Sequence, residues 1–376
     1  MRKRWALLAA VAFLAGVGNL AGCGKTYVET DVTVSAVPLE TSTAEVTTAP
    51  ALETTEETHE ESRPEPDQRL EEDGKIQSYL TGEMVDVAKA NRRPVAVMMS
   101  NDKQALPHYG INRAGVVYEA PVEGGMNRYM AIMEDYDDLE RIGSVRSCRT
   151  YYTYFAKEFD AIYAHYGQST FAKPYLKNVD NINGLEGIGG SAYYRSSDRK
   201  SPHNAYTSFQ GLQEAMGKLG YSQEYDQDYK GHARAGDQVV LDNALEAWKV
   251  YPGYGMNQPY FEYNEEDGLY YRYQYGGPHN GDEGQIAVRN IIFQYCAAGR
   301  YATTEYLDID VHEPQYGYYI TGGRAIALSW EKDGQFGVTH YYNTENEEIT
   351  LNRGKTWVCI IPTRDFSKTE IHGKSE

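Results

Sequence analysis

Cysteine is scarce in this chain of 376 residues: there are four, at positions 23, 148, 296 and 359, with no CxxC pair and no regular spacing. A disulfide framework and a cysteine-based zinc or redox centre are therefore excluded. The three cysteines beyond Cys23 read as small buried apolar residues, of which at most two can pair. Positive charge is scarce as well, with 36 Lys and Arg against 54 Asp and Glu for a net charge of −18. Sequence-independent nucleic-acid binding needs clustered cations that release counterions, so nucleic acid is set aside as a partner. Catalytic signatures are missing too: there is no HExxH for a zincin and no GxSxG elbow for a serine hydrolase. No apolar run reaches the roughly eighteen residues expected of a membrane-spanning helix.

What is present begins with a secretory signal. Arg2, Lys3 and Arg4 precede an apolar run from Trp5 to about Val17, and small residues then lead to Leu20-Ala21-Gly22-Cys23. That tetrad resembles the bacterial lipobox, which implies cleavage after residue 22 and a diacylglyceryl group on Cys23. Two acyl chains anchor stably where one is marginal. The expected partner is thus a lipid bilayer held through diacylglyceryl-Cys23, and the expected location is extracytoplasmic, anchored to the cell membrane as a lipoprotein. Residues 23–78 read as an acidic Thr/Glu/Pro-rich disordered tether. From Gly24 to Asp73 there are fourteen acidic residues against Lys25, Arg63 and Arg69, and no aromatic after Tyr27. Such a stretch cannot bury enough apolar surface to offset its ordering entropy.

The rest is long enough for two domains. In the first half, PVAVMMSN (94–101), GVVYEA (115–120), RYMAIMED (128–135) and DAIYAHYG (160–167) are short apolar runs that predict strands. Helices are expected from Ser147 to about Glu158 and over 208–219, where Phe209, Leu212, Met216 and Leu219 share a face, Ser208 offers a cap and Gly220 a stop. In the second half, tyrosine-rich strands recur between turn signals at Asp267-Gly268, Gly322-Gly323 and Asp333-Gly334, and KTWVCIIP forms a last strand ending at Pro362. The expected class is α+β: a mixed α/β amino-terminal domain over 79–230, an antiparallel β-rich carboxy-terminal domain over 231–365, and a polar tail over 366–376.

RPVAVMMSND, AGVVYEAPVEGGMNRYMAI, RIGSVRSCRTYY, FDAIYAHYGQS and SPHNAYTS, in that order, resemble the amino-terminal domain of YerB-like bacterial lipoproteins. YYRYQYGGPHNGDEG, VRNIIFQY, ALSWEKDG and LNRGKTWVCIIP resemble that family's carboxy-terminal domain. The resemblance spans about Arg93 to Pro362 and implies an exported, lipid-anchored protein with an α/β domain followed by a β domain; both halves are domains of unknown function. Cys148 stands where a small residue such as alanine is expected, and His108 stands outside the pattern of its segment, so neither is assigned a role.

Glu119, Glu123, Arg128, Arg146, Arg149, His165, Ser169, Arg195, His203 and Asn204 fall at strand ends or in Gly- and Ser-rich loops, where ligands of α/β sheets gather. Arg128, Arg146, Arg149, Arg195 and Arg199 offer planar forks for carboxylate or phosphate in an otherwise acidic chain. In VYEAPVEGGMNR (117–128), the bend from Pro121 to Gly125 is expected to turn Glu123 toward the loops carrying Arg146, His165 and His203, forming a polar pocket. The expected function is binding of an anionic cell-envelope component, with peptidoglycan peptides, teichoic-type polymers and lipid head groups as candidate ligands. A hydrolase using Glu119, Glu123 and His165 is one alternative and an envelope assembly or docking factor another; the residues do not decide whether the chain is an enzyme. Glu119 and Glu123 lie roughly 13 Å apart if extended at about 3.3 Å per residue. Glycosidase carboxylates need about 5–9.5 Å, which only the bend could provide. His279 and Asp282, in GGPHNGDEG, read as loop hydrogen-bonding residues, because two ligands do not complete a metal shell. No cofactor and no metal is implied.

Overall fold

Apolar residues on both parities of a strand require a sheet covered on both faces, and the first strands have that character. They are β1 (Val95–Ser100), β2 (Val116–Pro121), β3 (Asn127–Met133) and β4 (Ile162–His165). Val95, Val97, Met99, Val117, Tyr129 and Ala131 enter one core; Ala96, Met98, Val116, Tyr118, Ala120 and Met130 enter the other. The structure, a computed structural model, describes residues 69–226, 229, 231, 232, 234, 238–241 and 244–374. The expected signal 1–22, Cys23 and the tether as far as residue 68 lie outside the described residues.

The main sheet has twelve strands. Beside β1 to β4 it contains β5 (Asn181–Asn183), β6 (Leu245–Glu246), β7 (Asn290–Arg300), β8 (Leu307–Asp310), β9 (Gln315–Thr321), β10 (Arg324–Lys332), β11 (Thr339–Tyr342) and β12 (Thr356–Pro362). Its order is β6-β10-β9-β7-β12-β2-β3-β1-β4-β5, with β8 on β7 and β11 on β10. The turns at Gly322-Gly323 and Asp333-Gly334 close the hairpins β9–β10 and β10–β11, as their sequences predict. A separate six-stranded sheet contains Lys249–Tyr251, Tyr260–Asn264 and Leu269–Gln274.

One side of the main sheet is covered by the helix α2 (Phe209–Leu219) and this second sheet, through Leu212, Met216, Val250, Phe261 and Tyr270. Fully burying such side chains contributes about 1.5–3 kcal/mol each. Ser208 accepts the Gly211 N–H and Gly220 takes the left-handed turn (φ 72°) that ends the helix. The other side is covered by the helix α1 (Thr150–Glu158), whose Tyr151, Tyr152, Tyr154 and Phe155 are buried. Ser147 is not its cap: the residue before the first turn is Arg149, and the Ser147 hydroxyl instead donates to the Tyr166 carbonyl.

Three expectations about organisation need correction. A boundary near residue 230 does not separate two cores, because β12 runs parallel to both β7 and β2 (Thr356 opposite Asn290 and Val116) and stitches the halves into one sheet. The described residues all belong to one compact unit, 61–376. The strand pairings of the second half are otherwise antiparallel, as expected. The tether does not extend to residue 78: Glu71–Glu72, Lys75–Gln77 and Met84–Asp86 form a small antiparallel sheet, and Arg69 donates to the Gln77 and Ala90 carbonyls and to Asn91 Oδ1 (2.7 Å). The polar tail is also structured, with Glu370–His372 pairing with Lys249–Tyr251 and Ile371 packed on the core. Among the described residues no helix is long and apolar enough to cross a membrane.

Candidate functional site

The segment that opens VYEAPVEGGMNR divides its two carboxylates between two environments. Glu119 lies inside β2 on the parity of Val117 and is completely buried. Its carboxylate accepts from Arg272 Nη2 (2.8 and 3.0 Å), Asn127 Nδ2 (2.9 Å) and Trp357 Nε1 (3.0 Å). Arg272, equally buried, also donates from Nη1 to His279 Nδ1 (2.6 Å). That fixes a tautomer chain, since a guanidinium cannot accept a hydrogen bond. His279 must carry its proton on Nε2 and donate to His108 Nδ1 (2.9 Å), and His108 then donates from Nε2 to the Ser100 carbonyl (2.5 Å). Burial, helped by the Arg272 charge, pushes His279 well below and His108 down to about 4, so both rings are neutral. Asp282 accepts the Gly110 N–H (2.9 Å). His279 and Asp282 are thus hydrogen-bonding residues of the seam between early and late segments, and Glu119 is its anchor.

Glu123 occupies the corner instead. Gly124 and Gly125 have φ of 72° and 74°, the left-handed region that glycine enters without steric cost. Glu123 is forked by Arg149, Nε to Oε1 at 2.6 Å and Nη2 to Oε2 at 2.7 Å. Burial works to raise its pKa, and the Arg149 fork outweighs it and holds the carboxyl below its ordinary value. Arg149 Nη1 also reaches the Ser147 carbonyl (3.4 Å), which Arg128 Nη1 shares (2.5 Å). Arg128 is 7% exposed, and this carbonyl is its only hydrogen-bond acceptor among the described residues. Burial, then the charges of Arg149 and Arg146, pull its pKa down to about 10. Arg146 is lowered for the same two reasons, with Asp102 opposing, and donates to the Pro202 carbonyl (3.3 Å). Three guanidiniums therefore converge, and Glu123 is the one carboxylate in direct ion-pair contact with any of them among the described residues.

The other expected residues divide between this corner and sites of their own. His203 belongs to the corner: its Nδ1 is 3.3 Å from Ser100 Oγ and its Nε2 is 3.8 Å from Asp102 Oδ1. His165 does not belong, a correction to the expected pocket. It is buried at the end of β4, held by the Gly167 carbonyl (2.8 Å) and Asn181 Oδ1 (3.2 Å), and burial lowers its pKa. Ser169 accepts the Ala172 N–H (3.2 Å) as the cap of a short turn. Arg195 and Asn204 bond each other (2.7 Å) at the surface, and Arg199 donates to the Ala105 (2.6 Å) and Pro107 (2.9 Å) carbonyls. Ser100 and Asp102 were not singled out in the sequence, although SND closing an apolar strand marks a polar strand end. Arg272, 153 residues from Glu119, gave no local signal.

Two recesses lie elsewhere. One of about 270 Å³ sits against Asn112, Arg289, Arg353, Lys355 and Trp357, and one of about 450 Å³ against Gln168, Lys173, Asn181 and Glu186. Neither includes an arginine of the corner. Among the described residues no group of three or more His, Cys, Asp or Glu side chains is arranged to hold a metal ion.

Two family descriptions match the sequence. Residues 80–222 match "Protein of unknown function (DUF3048) N-terminal domain" and residues 250–358 match the corresponding C-terminal domain. The provisionally named lipoprotein YerB of Bacillus subtilis (strain 168) is 29% identical over 308 residues, covering 77% of this chain and 88% of that protein. The crystal structure of the YerB protein from Bacillus subtilis superposes with a TM-score of 0.71 at 28% identity, over 79% of this chain and 100% of that one. The two matched segments are those that β12 joins into one sheet.

Proposed function

We propose, for a chain that belongs to the two-part DUF3048 family, a role as a lipid-anchored extracytoplasmic protein that binds an anionic cell-envelope component at the corner of Arg128, Arg146 and Arg149. One observation carries this reading: Arg128 is a nearly buried cation with a single carbonyl acceptor and two neighbouring guanidiniums. Burying like charges together is costly unless a counter-charge arrives. A phosphate or carboxylate seated between Arg128 and Arg146 would supply it, with the bidentate geometry that guanidinium favours. Glu123 keeps Arg149 aligned rather than meeting the ligand. Anchoring is supported by the Leu20-Ala21-Gly22-Cys23 tetrad and by the lipoprotein name of the Bacillus relative.

The hydrolase alternative has no comparable support. Glu119 has no exposed surface with which to meet a substrate, Glu123 is held ionised by Arg149, and His165 has other partners.

Calorimetric titration with inorganic pyrophosphate tests the binding. Arg128→Gln and Arg146→Gln should each weaken it about 10- to 100-fold, the equivalent of a charged hydrogen bond worth about 1.5–3 kcal/mol. Unchanged affinity in both variants, with an unchanged circular dichroism spectrum, rejects the site. Labelling cells with a radioactive fatty acid tests the anchor: Cys23→Ser should lose the label and accumulate precursor, and a label that persists rejects the anchor.

A further inference from the structure

Strand β1 ends at Ser100, which has the same parity as Ala96 and Met98 and stands opposite Arg128 on β3. The backbone of Ser100 is fixed at both groups. Its N–H donates to the Ser144 carbonyl (3.0 Å), and its carbonyl receives His108 at the end of the buried tautomer chain. Its hydroxyl oxygen receives the Asp102 N–H (3.4 Å), which leaves the single hydroxyl proton for His203 Nδ1 at 3.3 Å. The far side of that ring, Nε2, faces Asp102 Oδ1 at 3.8 Å, and Asp102 is itself set by accepting the Gln104 N–H (2.8 Å). The His203 loop is tied down by Arg146 on the Pro202 carbonyl. Ser100 is 4% and His203 8% exposed, so little water competes for either.

We propose that Ser100 is a nucleophile for phosphoryl-group transfer, with His203 as its base, Asp102 as a positioning residue, and Arg128 and Arg146 as holders of the phosphoryl oxygens. The inference rests on the anion-binding reading above and adds a reaction to it. The Ser100 Oγ–phosphorus bond forms while the bond from phosphorus to the leaving oxygen of a phosphodiester or diphosphate breaks. The hydroxyl proton passes to His203 Nδ1 and the leaving group departs with the electron pair. Once His203 has passed that proton to the departing oxygen, water or an acceptor alcohol attacks phosphorus and gives its proton to Nδ1, and His203 returns the proton to Ser100 Oγ as that oxygen leaves. Guanidinium forks beside the nucleophile favour phosphorus over carbonyl carbon, because a phosphoryl group presents several anionic oxygens at once where an acyl group develops one. Burial lowers the His203 pKa, as do Arg146 and Arg199, while Asp102 opposes them, so the ring is neutral and able to accept at pH 7.

The probe is bis(p-nitrophenyl) phosphate with the full chain in detergent, and pyrophosphate titration reports binding separately. The expected result is release of p-nitrophenolate and an aryl phosphate adduct on the peptide carrying Ser100. Ser100→Ala and His203→Gln should each lose at least a hundredfold in release with an unchanged circular dichroism spectrum. Asp102→Asn should move the acidic limb of the pH–rate profile to lower pH, since the groups facing His203 are Ser100, Asp102, Arg146 and Arg199. Absence of release by the unaltered chain, or release that survives Ser100→Ala, overturns the reaction; if pyrophosphate still binds, the anion site stands without it. Absence of pyrophosphate binding removes both. Labelling of Ser100 by p-nitrophenyl acetate but not by the phosphodiester overturns the choice of phosphorus.

Discussion

Replacing Glu119 by Gln is the sharpest test of the seam between the early and late segments. The carboxylate is surrounded by donors alone: Arg272 Nη2, Asn127 Nδ2 and Trp357 Nε1, all within 3.0 Å. Glutamine keeps the shape but turns an NH2 toward at least one of those donors and leaves the Arg272 cation, also fully buried, without its counter-charge. Removing one member of a buried pair in this way costs about 3–5 kcal/mol. With a urea slope of roughly 3 kcal/mol/M for a unit of this size, the unfolding midpoint should fall by more than about 1 M. Glu119→Leu combined with Arg272→Met removes both charges, and the midpoint should recover at least half of the loss, because apolar replacement of a whole buried pair is often close to neutral. A Gln variant that unfolds within about 0.3 M of the unaltered chain would refute the argument. Pyrophosphate affinity is the control, since Glu119 is on the opposite parity of the sheet from Arg128.

The faces of the main sheet were legible in the sequence because β1, β2 and β3 carry apolar residues on both parities and only a doubly covered sheet accommodates that. Helix α2 was legible because Ser208 and Gly220 have the residue types that each terminus requires. What stayed hidden is partnership. Periodicity assigns a strand to a face but not to a neighbour, so nothing in KTWVCIIP announced that it would lie parallel to GVVYEA some 240 residues earlier (Thr356 opposite Val116), and a boundary was expected where the sheet is continuous. Glu370–His372 was too short for its alternation to be read. The arginine corner was legible because Arg128 stands at the start of an apolar strand and Arg146 and Arg149 lie in the Ser-containing loop before α1. Glu119, by contrast, stands between Tyr118 and Ala120 inside an apolar strand, a position that should have marked it as buried and not as a ligand-facing carboxylate. His165 failed for a related reason: a histidine completing an apolar strand is satisfied by the backbone of the following turn.

Two further outcomes follow from charge and burial. A chain that starts at Gly74 loses Arg69, with its three hydrogen bonds and its stacking 4.0 Å over Tyr79, along with the strand Glu71–Glu72. It should melt about 2–4 °C below a chain that starts at Arg69, the equivalent of about 1 kcal/mol, and equal melting temperatures would return the segment to the tether. The second outcome concerns acid stability and Glu158, at the end of α1. Burial works to raise its carboxyl, but Lys332 (2.5 Å) overrules it, aided by the His232 ring nitrogen (3.2 Å) and the Thr339 N–H (2.9 Å), and brings it down to about 2 from an ordinary 4.5. A carboxyl depressed on folding contributes stability that is complete above its unfolded value and is lost as pH falls toward the folded one. The contribution here is on the order of 3 kcal/mol at neutral pH, with more than half of it gone by about pH 3. Glu158→Gln should therefore be destabilised at pH 7 and close much of the gap between pH 4.5 and 2, measured as the difference in urea midpoint from the unaltered chain at each pH. A gap that stays constant from pH 7 to pH 3 would mean that Glu158 acts through shape and hydrogen bonding, and that the Lys332 charge contributes nothing to folding.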